Sequence, residues 1–207
     1  MKLNIDQKEL SKAISTVQKG VSSKTTLPIL SGILLKAEEN ILTLTGTDLE
    51  IGIETSIECS IVEEGSIVIA SKIFGDIVRK LPDLPIELEV DENNNIHIMC
   101  GTSKFNILGQ PSIEYPQLEK VQDDNYFNIS KDLLKNMIRQ TIFATAQDET
   151  RPILTGALLE IENKKTSLVA LDGYRLALKN ASIDFDKDMK VVIPSKTLNE
   201  VNRSEEH

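Results

Sequence analysis

An α+β fold, made of two copies of one domain, is predicted by three features of the sequence. One stretch of the first half returns in the second half, which indicates a duplicated domain. Four segments carry apolar residues at helical spacing, and the segments between them alternate apolar with polar residues. We therefore expect βαβββ units with helices on one face and antiparallel sheets on the other. Because only 4% of the residues are aromatic and 40% are hydrophobic, the cores should be aliphatic.

The repeat is clearest around two prolines. The run LPILSGILL at 27–35 returns as RPILTGALL at 151–159, so Pro152 follows Pro28 at an offset of 152 − 28 = 124. The same offset, without a gap, relates Ile5 to Ile129, Asp48 to Asp172, Ser71 to Ser195, Lys72 to Lys196 and Arg79 to Arg203. A weaker repeat inside the first copy relates Ile5 to Ile69, an offset of 69 − 5 = 64, and indicates two βαβββ units per domain.

The first domain is expected to span residues 1–122 and the second to span residues 123–207. The boundary is placed there because Pro116–Asp124 replaces the strand pattern with proline, glutamine and charge. Strand-like segments of the first copy at Ile86–Val90, Ile96–Cys100 and Lys104–Leu108 have no counterpart after Arg203. We therefore expect a second domain that is incomplete at its C-terminal end and exposes a sheet edge.

Each of the four helices is expected to have a capping residue or a serine at its start and one apolar face. Asp6 is predicted to cap the first helix, Ser71 the second and Ser130 the third, while Ser195 opens the fourth. The predicted inward residues of the first two helices are Leu10, Ala13, Ile14 and Val17, then Ile73, Phe74, Ile77, Val78 and Leu81. Those of the last two are Leu133, Leu134, Met137, Ile138 and Thr141, then Leu198 and Val201.

The net charge of -9 argues against a simple nucleic-acid-binding protein, since such proteins are usually basic. On a helical wheel, however, the cations lie opposite the apolar faces, while many acidic residues fall on strands and loops. The outward cations are Lys8, Lys12, Lys19, Lys72, Arg79, Lys131, Lys135, Arg139, Lys196 and Arg203. They could form ordinary solvated helix surfaces, or a face that contacts phosphates without reading bases. Their recurrence on four helices favours the second interpretation.

No catalytic, metal or cofactor site is predicted. Asp48 and Asp172 recur in both copies but have no second carboxylate or histidine at ligand spacing, so a structural turn is favoured. His97 lies in a strand and His207 is terminal, which disfavours a metal site. Arg151 precedes a proline and could either anchor a loop or face DNA. Cys59 and Cys100 are interpreted as reduced residues of a cytoplasmic protein, because the sequence shows no signal peptide or membrane-length apolar run.

Three motifs closely resemble the bacterial DNA polymerase III beta subunit, the sliding-clamp family. They are TLPIL at Thr26–Leu30, LTGTDLE at Leu44–Glu50 and LDGYRLA at Leu171–Ala177. The resemblance covers almost the whole chain and includes its duplication. It implies duplicated DNA-clamp domains, three in a complete chain, and a ring of two chains joined head-to-tail. Helices would line the hole of that ring and sheets would form its outside, and this chain would be an N-terminal fragment that lacks the third domain.

The resemblance also implies a role and a set of partners. Members of the family are non-catalytic subunits of a DNA polymerase holoenzyme and tether the polymerase to double-stranded DNA, along which they slide without sequence preference. The DNA polymerase III alpha subunit and the clamp-loader subunits would bind through short peptide motifs. No cofactor and no membrane is implied, and the location is cytoplasmic.

Three groups of residues carry over from the family by position. The DNA-binding group is Lys24, Lys8, Lys12, Lys72, Arg79, Lys135, Arg139, Lys196 and Arg203. The partner-peptide group, an apolar wall for leucine or phenylalanine anchors, is Leu154, Leu171, Gly173, Tyr174, Arg175 and Leu176. The subunit-interface group, on the outer edge strand of the first domain, is Lys104, Phe105 and Ile107. Tyr174 stands where some relatives have histidine and Leu171 where some have threonine, so partner preference can differ.

Two other functions compete with a sliding clamp. A peptide-binding adaptor would use the Leu154, Leu171 and Arg175 surface without encircling DNA, and charge reversal at Lys135 and Arg139 would leave it unaffected. A small hydrolase would have to use Asp48 or Asp172, which have no partner groups for such chemistry. Because the family closes its ring through the third domain, we also expect that this chain does not close a normal ring.

Overall fold

The computed structural model describes residues 1–22, 27–118, 126–148 and 150–203. The chain separates into two compact units, Met1–Glu119 and Lys120–His207. Each unit combines antiparallel sheet with two helices that pack against it. The mixed α+β class and the antiparallel sheets predicted from the sequence are therefore confirmed.

The first unit contains two antiparallel sheets. Its elements are β1 (Lys2–Ile5), α1 (Gln7–Val17), β2 (Gly32–Glu38), β3 (Ile41–Thr47), β4 (Gly52–Glu58), β5 (Ser60–Glu63), β6 (Gly65–Ala70), α2 (Ser71–Lys80), β7 (Ile86–Val90), β8 (Asn95–Cys100) and β9 (Ser103–Leu108). One sheet has the strand order β5-β1-β7-β8-β9 and the other has the order β4-β3-β2-β6.

Each sheet of the first unit is completed by a segment from the opposite half of the unit. β5 follows β4 directly in the chain, but it pairs with β1 in the other sheet. In the same way, Gln110 follows β9 and pairs with Val68 of β6, through two backbone hydrogen bonds of 2.9 Å. This exchange is the arrangement expected of two βαβββ units related by a pseudo-two-fold axis. It supplies hydrogen-bond partners to strands that would otherwise be sheet edges.

The helices of the first unit begin and pack as their sequences dictate. The Asp6 carboxylate accepts hydrogen bonds from the amides of Lys8 and Glu9, at 2.8 and 3.1 Å, and so caps α1. The apolar faces of both helices join the two sheets in one aliphatic core. Its fully buried members include Leu10, Ile14, Val17, Phe74, Val78, Leu3, Leu35, Ile86 and Ile98. Each such side chain stabilises the fold by roughly 1.5–3 kcal/mol relative to an exposed position.

The second unit repeats the α1–α2 part of the first. Its elements are α3 (Lys131–Thr141), β10 (Gly156–Glu162), β11 (Lys165–Leu171), β12 (Leu176–Ser182), β13 (Met189–Pro194) and α4 (Ser195–Arg203). The strand order β12-β11-β10-β13 reproduces the order β4-β3-β2-β6, and each of these strands begins 124 residues after its counterpart, as Gly156 does after Gly32 (156 − 32). Even the hairpin turns agree, because Glu39 and Asn40 have φ angles of 50° and 62°, the same values as Asn163 and Lys164.

Three sequence-based expectations about the elements are wrong. Ser71 is the first residue of α2 rather than its cap, and the Ala70 cap position makes no side-chain hydrogen bond. Ile73 on α2 and Val201 on α4 are exposed, because each lies beside the apolar stripe and not within it. The structure also shows that residues 126–130, which include Ile129, the counterpart of Ile5, form no strand, since the described part of the second unit has no equivalent of β7 for them to pair with.

Candidate functional site

The first candidate site is the set of outward cations on the four helices, which we call the basic helix faces. Lys8, Lys12, Lys72 and Arg79 are exposed on α1 and α2. Arg139 and Arg203 are exposed on α3 and α4, while Lys135 and Lys196 are half-buried. Lys24 lies outside the described residues. The helical wheel is therefore correct for the six exposed cations, whereas Lys135 and Lys196 are partly covered.

Within the first unit, α1 and α2 lie side by side, so their basic faces are neighbours. Gln7 Nε2 donates a hydrogen bond to the Val78 carbonyl at 2.7 Å, and Gln18 Nε2 donates one to the Ser71 carbonyl at 2.8 Å. Gly75 lies beside the Gln18 amide, where an added Cβ would overlap it. The small residue thus allows the helix pair to pack closely. α3 and α4 also contact each other within the second unit.

Acidic neighbours neutralise part of this charge. Lys8 Nζ forms an ion pair with Asp83, and the pair raises the pKa of Lys8. Arg79 pairs with Asp76 at 2.6 Å, and Arg203 pairs with Glu200 at 3.5 Å. These are exposed pairs, which contribute little to stability and exchange readily with solvent or with another anion. Asp76 and Glu200 lie three residues before Arg79 and Arg203 on the same helices, whereas Asp83 lies in the loop after α2, which only folding brings beside Lys8.

The second candidate site is a pocket of about 570 Å³ in the second unit. It lies between the turn from β11 to β12 and the segment that follows α3. Its lining residues are Thr145, Ala146, Gln147, Asp148, Thr150, Arg151, Leu154, Asp172, Gly173, Tyr174 and Arg175. The Ala146 amide donates to the Leu154 carbonyl at 2.8 Å, which joins the two parts of the chain that form this wall.

The β11–β12 turn is built around the Asp172 carboxylate. Its Oδ1 accepts hydrogen bonds from the amides of Tyr174 and Arg175, at 3.0 and 3.1 Å, and its Oδ2 accepts one from Arg175 Nε at 2.9 Å. These backbone amides, helped by the guanidinium, lower the pKa of Asp172. Gly173 has a φ of 94°, a left-handed value that favours glycine. The interpretation of Asp172 as a turn residue therefore matches the geometry.

The turn places the Tyr174 ring and the Arg175 guanidinium at the mouth of the pocket. Tyr174 is fully exposed, and the Arg175 side chain is held in place by Asp172. Leu154 is half-buried at the pocket wall. Such a surface offers an apolar wall and one hydrogen-bonding cation, which suits an apolar side chain attached to a polar backbone.

The pocket contains only part of the predicted partner-peptide group. Leu154, Gly173, Tyr174 and Arg175 line it, whereas Leu171 and Leu176 do not. Those two leucines are directly opposite each other at the ends of β11 and β12, so their side chains share one face of the sheet beside the pocket. Sequence reasoning missed the wall at 145–148, because residues that follow a helix carry no periodic signal. It left Arg151 unassigned between two roles, and Arg151 lines the pocket.

The predicted subunit-interface group lies on β9, which is an edge of its sheet. Lys104 is exposed, and Phe105 is 39% exposed, an unusual degree for a phenylalanine. Ile107 is half-buried and packs against the core of the first unit. Phe105 and Ile107 are two residues apart and lie opposite the buried Ile98 and Ile96, so both project to the core side of the sheet and are available to a partner only in part.

The next observations concern a metal site and a membrane span, both of which the sequence disfavoured. Among the described residues, no cluster of three or more histidine, cysteine, aspartate or glutamate side chains could hold a metal ion. His97 Nδ1 is 2.8 Å from Asn106 Oδ1 on the neighbouring strand. No helix in the described ranges is long and apolar enough to cross a membrane.

Family comparisons match both units. A profile of the DNA polymerase III beta subunit N-terminal domain matches residues 1–119, and a profile of the central domain matches residues 128–207. The beta sliding clamp of Halalkalibacterium halodurans is 40% identical over 211 residues, which cover 96% of this chain and 56% of the relative. The beta sliding clamp of Bacillus subtilis is 39% identical over 213 residues, which cover 98% and 56%. The chain thus spans little more than half the length of these relatives.

Solved structures match the fold closely. The DNA polymerase sliding clamp of Bacillus subtilis superposes with a TM-score of 0.90 at 39% identity, covering 98% of this chain and 56% of that one. A putative DNA polymerase III beta subunit from Eubacterium rectale also gives a TM-score of 0.90, at 38% identity and the same coverage. A Pseudomonas aeruginosa sliding clamp bound to griselimycin gives 0.85 at 32% identity, covering 99% and 56%.

The duplicated helix-and-sheet units therefore have the fold of a DNA polymerase sliding clamp. The family profiles, which together match most of the sequence, define the membership more narrowly. This chain belongs to the DNA polymerase III beta subunit family. The resemblance inferred from the TLPIL, LTGTDLE and LDGYRLA motifs is confirmed.

Proposed function

We propose that the chain is part of a DNA sliding clamp, a processivity factor that keeps a replicative polymerase on double-stranded DNA. The observation that carries this proposal is the exposure of cations on the outward faces of all four helices, in a protein whose net charge is -9. A protein with a negative net charge is not attracted to DNA as a whole, so contact with DNA requires a surface on which cations are concentrated. The family membership supports the same assignment.

The basic helix faces are suited to sliding because lysine and arginine side chains attract phosphates at long range but read no bases. Lys12 and Lys72 have no ion-pair partner within the described ranges, and Lys8 and Arg79 have only exposed partners that phosphate can replace. Binding should therefore be weak, non-specific and sensitive to salt. A clamp that must move along DNA needs contacts of this kind.

The pocket of the second unit is proposed to bind short peptide segments of the polymerase alpha subunit and of clamp-loader subunits. Leu154 and Tyr174 would contact an apolar anchor, and Arg175 would hydrogen-bond to the peptide backbone. The relative from Pseudomonas aeruginosa binds griselimycin, which supports a ligand site in this fold. In this proposal the protein catalyses no reaction itself, needs no cofactor and acts in the cytoplasm, while nucleotide transfer belongs to the polymerase.

Ring closure is a separate proposal, since the chain spans 56% of the relatives it matches. In the family-type ring, the β9 edge with Lys104 and Phe105 would pair with a third domain of the other chain. We expect the 207-residue chain alone to remain on circular DNA no better than on linear DNA after a high-salt wash. Retention on circular DNA only would show that the chain closes a ring by itself.

The proposed DNA contact is tested by charge reversal on one helix. Lys135→Glu with Arg139→Glu should weaken binding of the chain to a short random duplex by about tenfold or more. The slope of log K against log salt should fall by about two, one for each lost phosphate contact. The measurement is fluorescence anisotropy across about 50–200 mM salt, a range in which phosphate contacts change affinity strongly.

A matched control separates a local effect from the change in net charge. Lys104→Glu with Lys165→Glu alters the net charge by the same amount on exposed strand positions. The control should bind duplex DNA within about twofold of the unmodified chain, because long-range charge effects are screened at this salt. Equal weakening by both double variants would contradict a role for the helix faces. It would favour the peptide-binding adaptor, whose pocket neither pair of substitutions touches.

A further inference from the structure

In the groove between α1 and α2, one glutamine side chain contacts both a helix backbone and a cation. Gln18 is the C-cap residue of α1 and is half-buried. Its Nε2 donates a hydrogen bond to the Ser71 carbonyl at 2.8 Å, and its Oε1 accepts one from Arg79 Nη1 at 3.4 Å. Ser71 is the first residue of α2 and Arg79 lies in its last turn. The Gln18 amide therefore joins the start of α2 to the cation near its end.

Arg79 is held from two sides. On its own helix, Asp76 lies three residues earlier, and its Oδ1 is 2.6 Å from Arg79 Nη2. From the neighbouring helix, Gln18 contacts Nη1, the other terminal nitrogen. Because the guanidinium is planar and rigid, contacts at both terminal nitrogens restrict its orientation. The side chain is still 48% exposed, and the guanidinium has more N–H donors than these two contacts use. It can therefore bind a phosphate while Gln18 stays in place.

Gly75 provides the space for this arrangement. A Cβ on Gly75 would lie 2.5 Å from Gln18 Nε2, which is closer than such atoms approach each other. A larger residue at position 75 would push the Gln18 amide out of the groove and away from both Ser71 and Arg79. The contact between Gln18 and Arg79 thus depends on a glycine in the middle of α2.

The second unit repeats the acid and the arginine but not the glutamine. Glu200 lies three residues before Arg203 and pairs with it at 3.5 Å, so the pair within one helix recurs. The residue 124 positions after Gln18 is Ile142. An isoleucine side chain accepts no hydrogen bond, so Ile142 cannot hold Arg203 as Gln18 holds Arg79. The Arg203 side chain is also more exposed, at 66%.

From this difference we propose that Gln18 is a positioning residue for DNA, which holds the Arg79 guanidinium in the orientation that a backbone phosphate binds. This role rests on the DNA contact proposed for the basic helix faces. Asp76 is the exchangeable partner: a phosphate oxygen takes its place at Nη2, while the neutral Gln18 amide stays at Nη1. The first unit then supplies an oriented phosphate contact, whereas the orientation of Arg203 in the second unit depends on its own helix.

An oriented arginine binds a phosphate more tightly, because part of the conformational entropy of its long side chain is already lost. A neutral amide is suited to this task, since it accepts a hydrogen bond from the guanidinium without offsetting the positive charge that attracts DNA. A carboxylate, such as that of Asp76, instead competes with the phosphate for the same donors. The contact involves no base, so the gain in affinity should not depend on DNA sequence.

The test measures binding of the full 207-residue chain to a labelled short random duplex, by fluorescence anisotropy across about 50–200 mM salt. Gln18→Ala should weaken binding about threefold, since the arginine side chain must then be ordered by the phosphate alone. The slope of log K against log salt should not change, because the number of cations is the same. Arg79→Ala should weaken binding more and should lower that slope by about one.

A double-mutant cycle shows whether Gln18 acts through Arg79. In a chain that already carries Arg79→Ala, Gln18→Ala should change the affinity by less than about 1.5-fold, because the side chain that it positions is absent. Loss of helix packing would not depend on the arginine in this way.

Replacing the exchangeable partner should have the opposite effect. Asp76→Asn should strengthen binding about threefold, because the phosphate no longer displaces a carboxylate. The matched control is Glu92→Gln, which removes one exposed negative charge from the β7–β8 turn. It should change the affinity by less than about 1.5-fold, since distant charges are screened at this salt.

Gln7→Ala separates positioning from helix packing. Gln7 also joins α1 to α2, through a hydrogen bond of 2.7 Å to the Val78 carbonyl, but it is buried and bonds to no cation within the described residues. Gln7→Ala should lower the urea concentration at the midpoint of unfolding at least as much as Gln18→Ala does, because it leaves a buried carbonyl without a partner. Its DNA affinity should stay within about 1.5-fold of the unmodified chain.

Three results would overturn the proposal. The first is unchanged DNA affinity of Gln18→Ala when Arg79→Ala binds more weakly. The second is an equal loss from Gln18→Ala with and without Arg79, which would make its effect structural. The third is unchanged affinity of Arg79→Ala itself. None of these results by itself removes the proposed DNA contact of the helix faces, which is tested separately at Lys135 and Arg139.

Discussion

The four-stranded sheet and the helix pair of the first unit recur in the second, and the two copies differ in what lies on the sheet. The strands β2, β3, β4 and β6 recur as β10, β11, β12 and β13. The turn also recurs, because the Asp48 and Asp172 carboxylates each accept hydrogen bonds from the backbone amides two and three residues later in the chain.

In the first unit residues 110–118 cover the outer sheet face, where Gln110 pairs with Val68 and Tyr115 is buried. In the second unit the described residues leave Val192, the counterpart of Val68, exposed, and a pocket lies at the β11–β12 turn. Duplication thus preserved the scaffold, while the described residues that lie on it differ between the two copies.

The same comparison holds at the level of single side chains. Leu30 of the first unit is 1% exposed, whereas its counterpart Leu154 is half-buried and lines the pocket. Leu49 has a φ of 76° at the turn position that Gly173 occupies in the second unit. A leucine there is strained, so glycine in the second unit removes both the strain and the side chain at the pocket mouth.

The largest expected effect comes from removing the buried Tyr115 ring, whose hydroxyl donates to the Gly32 and Thr45 carbonyls and accepts from the Thr47 amide. Tyr115→Ala should lower the free energy of unfolding of the first unit by about 3–5 kcal/mol, because it deletes a buried ring and leaves backbone groups without partners. Tyr115→Phe should cost about 1–2 kcal/mol through the lost hydrogen bonds alone. Urea denaturation measures both values. The control Tyr174→Ala, at a fully exposed tyrosine, should change the value by less than about 0.5 kcal/mol.

A smaller effect is expected where the two cores differ by one methyl group at each of two positions. Gly46 and Gly20 bring backbones into contact in the first unit, and a Cβ on Gly46 would overlap the Val17 carbonyl. The second unit has the buried residues Ala170 and Ala144 at these positions. Gly46→Ala should therefore destabilise the first unit by about 1–3 kcal/mol, although alanine is the natural residue in the other copy. A neutral effect in urea denaturation would show that the two cores are interchangeable.

Much of this fold follows from the sequence, for physical reasons. The repeat predicted the duplicated domains. The spacing of Leu10, Ile14 and Val17 predicted the buried face of α1, because residues at this spacing lie on one side of a helix. The sequence did not reveal that Tyr115 covers the first sheet, since a tyrosine in an irregular segment has no periodic pattern. The sequence also predicted that Ile73 is buried, which is wrong, because an apolar residue beside the buried face of a helix fits the same spacing rule as the residues within it. Pocket residues 145–148 were missed because only folding brings them beside Asp172.

The smallest expected effect concerns the turn at the pocket. The amides of Tyr174 and Arg175 hold the pKa of Asp172 below its ordinary value of 3.8. A carboxyl with a lowered folded-state pKa stabilises the fold above its unfolded pKa, and that stability is lost as the pH falls through the folded value. NMR titration should place the Asp172 midpoint below 3.8, and Arg175→Ala should raise it only slightly, because the backbone bonds dominate. A midpoint at or above 3.8 would contradict the described turn.

Hydrogen exchange at two equivalent amides tests the contrast between the units most directly. The Val68 amide donates to Gln110 at 2.9 Å, whereas the Val192 amide points outward from an uncovered edge strand. NMR-detected exchange of the 207-residue chain should show Val68 protected at least about a hundredfold more than Val192, since opening of the first unit costs several kcal/mol. Equal protection of the two amides would mean that the second sheet is covered as well, and the described contrast between the two units would be wrong.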